Sequence, residues 1–226
     1  MTFSECRSAP QIRIRTRISV VIAIVAACTA ATMGEQPFSF STSLSKDESA
    51  NAQKLASNIA ALSPSVDRNE ATLLAESSYA TAGRLRQQYR MFGTPIFNNF
   101  LVYHGFRKRG YCYQWTEDLL VALDALKLKT LELHWGESYA GTWRENNCLV
   151  VTAKGQPFDR GIILDAWRHF GHLRWHLVLS DEDRYFENVK WAQRVRSRAA
   201  SKSVGTNRHV ALQSRVAPEG IPGDRR

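Results

Sequence analysis

Apolar residues recur at helical spacing through the first half of the chain and at strand spacing through much of the second. Leu55, Ile59 and Leu62 line one face behind Ser45-Lys-Asp-Glu48, a capping-box pattern, and predict a helix over 46–62 that Pro64 stops. Asp67-Arg-Asn-Glu70 repeats the cap. Leu74, Ala75, Ser78, Ala82, Leu85 and Tyr89 follow on one face, predicting a longer helix over 67–91 ended by Gly93. Thr94-Pro95 is an N-cap followed by proline at the first helical position, and it opens a third helix through Ile96, Phe97, Phe100, Leu101 and His104. Lys108, Arg109 and Gly110 give that segment a basic, glycine-capped end. A fourth helix begins at Cys112, with Cys112, Trp115, Leu119, Leu120 and Leu123 on its apolar stripe and Thr116, Glu117, Asp118 and Asp124 outside.

After Leu128 the period drops to two. Leu131, Leu133 and Trp135 alternate with Glu132 and His134, as in a half-buried strand. Residues 136–142 read as a loop and 147–152 as a short β-rich run. Gly155-Gln-Pro157 is a turn, 161–167 a strand ending in an acid, and 173–179 a fourth strand after the His169-Phe-Gly171 turn. Helices followed by an antiparallel meander predict a single α+β domain over 46–197, with a last short helical pattern around 184–197. Residues 198–226 are rich in Ser, Gly, Pro and Arg with little periodicity, and predict a disordered basic tail.

Hydrophobic residues make up 44% of the 226, enough for a real core. The net charge of +9 suggests a nucleic-acid or membrane partner until it is mapped. Residues 1–27 carry four Arg against one Glu, and 192–226 carry eight basic residues against two acidic ones. The remaining 18 basic and 18 acidic residues cancel over 28–191. The excess therefore sits at the two ends, outside the expected fold, and no nucleic-acid partner is expected.

Arg13, Arg15 and Arg17 precede the apolar run Ile18–Ala27, the charged and apolar regions of a secretory signal. The run is shorter than the roughly 20 residues a bilayer-spanning helix needs. It ends in Val25-Ala26-Ala27-Cys28, which resembles the bacterial lipobox. That resemblance implies a signal over 1–27, lipid on Cys28, membrane anchorage on the periplasmic side of the cell envelope, and a polar tether over 28–45. An ordinary signal cleaved at Ala-x-Ala and an uncleaved anchor are the other readings. Export implies an oxidising compartment. With Cys6 in the signal and Cys28 lipidated, Cys112 and Cys148 remain, the number for one disulfide.

Cys112 follows Gly110 at the start of a helix, where unpaired N–H groups and the helix dipole favour a thiolate. A thiol nucleophile needs a base, and the base needs an orienting group. Gly110–Trp115, Glu145–Asn147, Leu164–Arg168 and Gly171–Trp175 together resemble the transglutaminase-like branch of the papain superfamily, as found in a group of uncharacterised bacterial lipoproteins. There a cysteine opens a helix, a histidine opens the second strand of the following sheet, and an aspartate ends the next strand. The resemblance implies a papain-like core, Cys112 as nucleophile and Asp165 as orienting acid. It also implies attack on an amide or ester carbonyl of a peptide or cell-wall substrate, with no cofactor. Where the pattern has histidine, this chain has Asn146, or Asn147 in a shifted register; an amide cannot carry a proton away near neutral pH.

His134 on the preceding strand is the candidate substitute base. Three readings of Cys112 stand side by side: an active thiol, a disulfide with Cys148, and a buried free thiol. Asp165 has a plainer reading too, as the start of an Asx turn or a partner of Arg168. Trp115, Trp135, Trp167 and Trp175 read either as a groove or as core. His169, His172 and His176 are the nearest approach to a metal cluster, but a glycine turn and a strand separate them, and no metal site is expected. The rival to a cysteine enzyme is thus a noncatalytic envelope module.

Overall fold

The computed structural model describes residues 44–214, with side chains through residue 202. The expected signal over 1–27, Cys28 and most of the expected tether lie outside the described residues. The first helix, α1 (Lys46–Ala60), starts at the capping box: Ser45 Oγ accepts from Glu48 N, and Ser45 N donates to the Glu48 carboxylate. It buries Ala52, Leu55 and Ile59 against α2 (Arg68–Gln88), whose buried face runs from Ala71 to Leu85. Asp67 caps α2 through Asn69 N and Glu70 N. Glu70 does not close the expected box. Its carboxylate accepts from Lys129 N, Thr130 N and Thr130 Oγ1, tying the start of α2 to the chain that enters the sheet.

The third helix, α3 (Pro95–Tyr103), is capped by Thr94 as its sequence predicts, yet Asn98 is its only buried residue. The fourth, α4 (Cys112–Asp124), carries Trp115, Leu119, Leu120 and Leu123 into the core. Its entry is held by Gln114, whose side-chain oxygen accepts from Gly110 N and Tyr111 N. Gly110 has a φ of 149°, which explains why a glycine stands there.

Five strands follow in an antiparallel sheet: β1 (Leu131–Ser138), β2 (Asn146–Ala153), β3 (Ile162–Asp165), β4 (Arg174–Leu177) and β5 (Phe186–Glu187), in the spatial order β4-β3-β2-β1-β5. The first four form the expected meander, and the architecture is α+β. Alternation along β2 sends Leu149 and Val151 to the face covered by helices, and Cys148 and Val150 to the other. All eight β2 residues are buried, so both faces are covered. The second face holds a small cluster of Cys148, Val150, Ile163, Val178 and Tyr185.

The structure corrects the expected boundaries in three places. Residues 136–138 belong to β1 rather than to a loop, because Ser138 pairs with Asn146 across the ladder. The last strand of the meander keeps only Arg174–Leu177 before a 3-10 turn over Val178–Ser180. The final helix, α5, runs Val189–Ser214, so the expected disorder from residue 198 is replaced by helix through 214. Its proximal part is anchored by tertiary contacts: Ala192 and Val195 are buried, and Arg196 pairs with Asp124 while donating to Leu133 O. The first proline in this stretch is Pro218, so no helix breaker of that kind interrupts the run.

Candidate functional site

Cys112 lies where α4 meets the start of β2. Its Sγ is 3.5 Å from both Glu145 O and Asn147 Nδ2, and the residue is only 6% exposed. Asn147 is itself fully committed. Its Oδ1 accepts from the Trp135 indole at 2.8 Å, and its Nδ2 also donates to Glu145 Oε1 at 3.1 Å. Asn146, the neighbouring residue, leaves β2 on the other face. Its Nδ2 donates to Asp165 Oδ2 at 3.2 Å and to Tyr185 Oη at 2.7 Å. Its Oδ1 is buried without a hydrogen-bond partner.

The expected participants are therefore brought together, with the two contacts of a histidine base divided between two amides. Asn147 touches the thiol, and Asn146 touches the carboxylate. A catalytic imidazole makes both contacts through one conjugated ring, which is what lets it accept a proton and be oriented while doing so. Two side chains on opposite faces of a strand cannot relay in that way.

Burial pushes the Cys112 thiol up to about 11; the Asn147 contacts oppose the rise, and the nearby Glu145 and Asp165 carboxylates add to it. Measured from its ordinary value of 9.0, the rise is roughly 3 kcal/mol against the thiolate. The dipole of α4 offers about 0.3–1 kcal/mol in the opposite sense, so desolvation wins. Cys112 is a neutral thiol near pH 7.

Asp165 is held by its own turn. Its Oδ1 accepts from Trp167 N at 2.9 Å and Arg168 N at 3.2 Å, the Asx turn foreseen as its plainer reading, and Arg168 Nε lies 3.6 Å from Oδ2. Arg168 also pairs with Asp183 and approaches Asp181, a carboxylate whose side chain is fully buried beside Arg174 and His176. Tyr185, Asp181 and Asp183 join this cluster without a motif to announce them. Their only sequence signal is the acidic run Asp181-Glu-Asp183, which looks like an ordinary solvated loop.

Two of the alternative readings do not match the geometry. Cys112 and Cys148 are both free thiols. Cys148 points into the second-face cluster with Val150 and Ile163, away from the helices, so its β2 position turns it from the bridge that the cysteine count suggested. His134 is not a substitute base. It lies opposite Val150 on the second face, with Nδ1 2.8 Å from Glu187 Oε1 and Nε2 2.9 Å from Thr152 Oγ1. Both ring nitrogens are occupied there.

Trp115 and Trp135 are core residues, and Trp167 and Trp175 pack against that core, with the Trp175 indole donating to Tyr79 Oη. They do not form a groove beside the thiol. Among the described residues, surface cavities such as one of about 900 Å³ along α4, β1 and α5 are lined by residues other than Cys112. Among the described residues, no group of three His, Cys, Asp or Glu side chains is arranged to hold a metal ion. No family model, curated protein or solved structure matches this chain.

Proposed function

We propose that this protein is an exported, lipid-anchored component of the bacterial cell envelope whose domain is a transglutaminase-like, papain-like fold that has become noncatalytic. The single observation that carries the reading is the division of base contacts between Asn147 at the thiol and Asn146 at Asp165. The order of parts supports the relationship to cysteine acyl-transfer enzymes: a cysteine opening a helix, amides at the start of β2, and an acid ending β3. The missing base and the buried neutral thiol support loss of chemistry. In this reading Cys112, Asn147 and Trp135 are a polar joint between helix and sheet, and the domain serves as a binding or structural module.

Hydrolysis of an activated acyl ester tests the noncatalytic half. The expected result is no burst of leaving group beyond that of a Cys112→Ala variant. A burst stoichiometric with protein and absent in that variant returns Cys112 to the role of nucleophile in a cysteine amidase or acyltransferase. Incorporation of labelled palmitate during bacterial expression, lost in Cys28→Ala, tests the anchor.

A further inference from the structure

The apolar face of α3 is turned outward. Phe92, Ile96, Phe97, Phe100, Tyr103 and Phe106 are between 43% and 74% exposed. Four of these residues form a row with His104: Phe92 meets Phe97, Phe97 stacks on Phe100, and Phe100 and Tyr103 both contact His104. Isolated exposed apolar residues need no explanation, but a contiguous aromatic patch on one short helix does. The capping of α3 by Thr94 and the Asn98 bonds to Thr94 O and Phe92 O fix this face in place.

The segment that carries the patch has charge of one sign. Residues 77–116 contain Arg84, Arg86, Arg90, Arg107, Lys108 and Arg109 and no aspartate or glutamate. Arg109 turns inward to Glu117 and Asp118. Among the described residues, Arg90, Arg107 and Lys108 form no ion pair with a carboxylate. Partial burial makes the Arg107 guanidinium harder to keep charged, and the nearby charge of Arg90 adds to that; Arg107 also donates to Asn98 Oδ1. Cations without a carboxylate partner suit an anionic surface.

We infer that the aromatic face of α3 and the adjacent Arg90, Arg107 and Lys108 form a docking surface for the interface of an anionic lipid bilayer. Aromatic rings suit the headgroup region of a membrane, and cations at their edge suit its phosphates. At nine residues, α3 is too short to cross a bilayer, and no described helix is long and apolar enough to do so. It lies on the surface instead. The position of the chain's entry agrees. Leu44, the first described residue, shares a cavity with Arg90 and Met91, so the tether reaches the domain at the end that carries the patch. That last point rests on the anchored reading proposed above; the exposure and the charge do not.

The test uses the full chain with Cys6→Ser and Cys28→Ser, which removes the lipid attachment site. A Tyr103→Cys substitution is labelled with an environment-sensitive nitrobenzoxadiazole dye. The control label sits at Lys154→Cys, near Thr130 and the start of α2, roughly 30 Å away along that helix. Vesicles of phosphatidylcholine with phosphatidylglycerol should blue-shift and brighten the dye at position 103 and leave it unchanged at 154, and added salt should reverse the change. Arg90→Gln with Lys108→Gln should weaken the binding about thirtyfold at low salt, at about 1 kcal/mol per charge. Three results overturn the proposal: no response at 103 while the chain sediments with vesicles through another segment; an equal response to phosphatidylcholine alone; or a response without vesicles that grows with protein concentration, which makes a second copy the occupant. Because Cys28 is absent throughout, failure here leaves the lipid-anchor reading to its own palmitate test.

Discussion

The reactivity of Cys112 can be predicted from its surroundings. Alkylation by iodoacetamide requires the thiolate. With the thiol pushed up to about 11, roughly 0.1% is ionised at pH 8, against about a tenth for an exposed cysteine at the ordinary 9.0. Ionisation alone therefore slows the reaction by about a hundredfold, and the 6% exposure of the residue slows it further. Peptide mapping by mass spectrometry after timed alkylation gives the rate, and the same chain unfolded in urea supplies the reference. The folded rate should climb about tenfold per pH unit from 7 to 10 without a plateau. Stability should move with it. Above about pH 9 the unfolded chain holds fewer thiol protons than the folded one, so stability is complete below that value and falls as the pH rises toward 11. A plateau near neutral pH, or a folded rate equal to the unfolded one, would refute the claim that burial outweighs the helix terminus. It would also reopen the question of a base.

Other perturbations probe the same architecture. Asn147→Leu strands the Trp135 indole N–H inside the core and should cost about 1–3 kcal/mol in urea unfolding; an unchanged midpoint means the amide is not the joint described here. Gly161→Ala places a Cβ 2.5 Å from Val150 Cγ1 and 2.8 Å from Val151 O, and because a backbone oxygen cannot swing aside the variant should lose about 1–3 kcal/mol. At Glu70, partial burial raises the carboxylate pKa, but the bonds from Thr130 and Lys129 outweigh it and hold the value below the ordinary 4.5. Its contribution is thus present above that pH and lost as the pH falls through the lower folded value. Glu70→Gln should flatten the acid side of the stability profile, and an unaltered slope would separate Glu70 from the effect.

Much of the fold follows from local pattern. The capping residues Ser45, Asp67 and Thr94 act where the sequence puts them, and the change of period after Leu128 marks the start of the sheet. Those signals are legible because caps and periodicity depend on residues a few positions apart. The helix at the tail is not legible for the same reason: part of α5 is held by Arg196 reaching Asp124 and Leu133 O, contacts between segments far apart in the chain. The aromatic residues of α3 look like core in sequence, since periodicity identifies an apolar face without saying whether anything covers it.

The opening of α4 by Cys112, the acid that ends β3 and the absence of a histidine at residues 146 and 147 are properties of the sequence alone. Which asparagine meets the thiol and which meets the acid is not. That depends on the side from which each residue leaves β2, and on where α4 lies against the strand. A shift of one residue exchanges the two faces, so only the assembled sheet decides that the thiol faces an amide fixed by Trp135, while the carboxylate faces another amide bound to Tyr185.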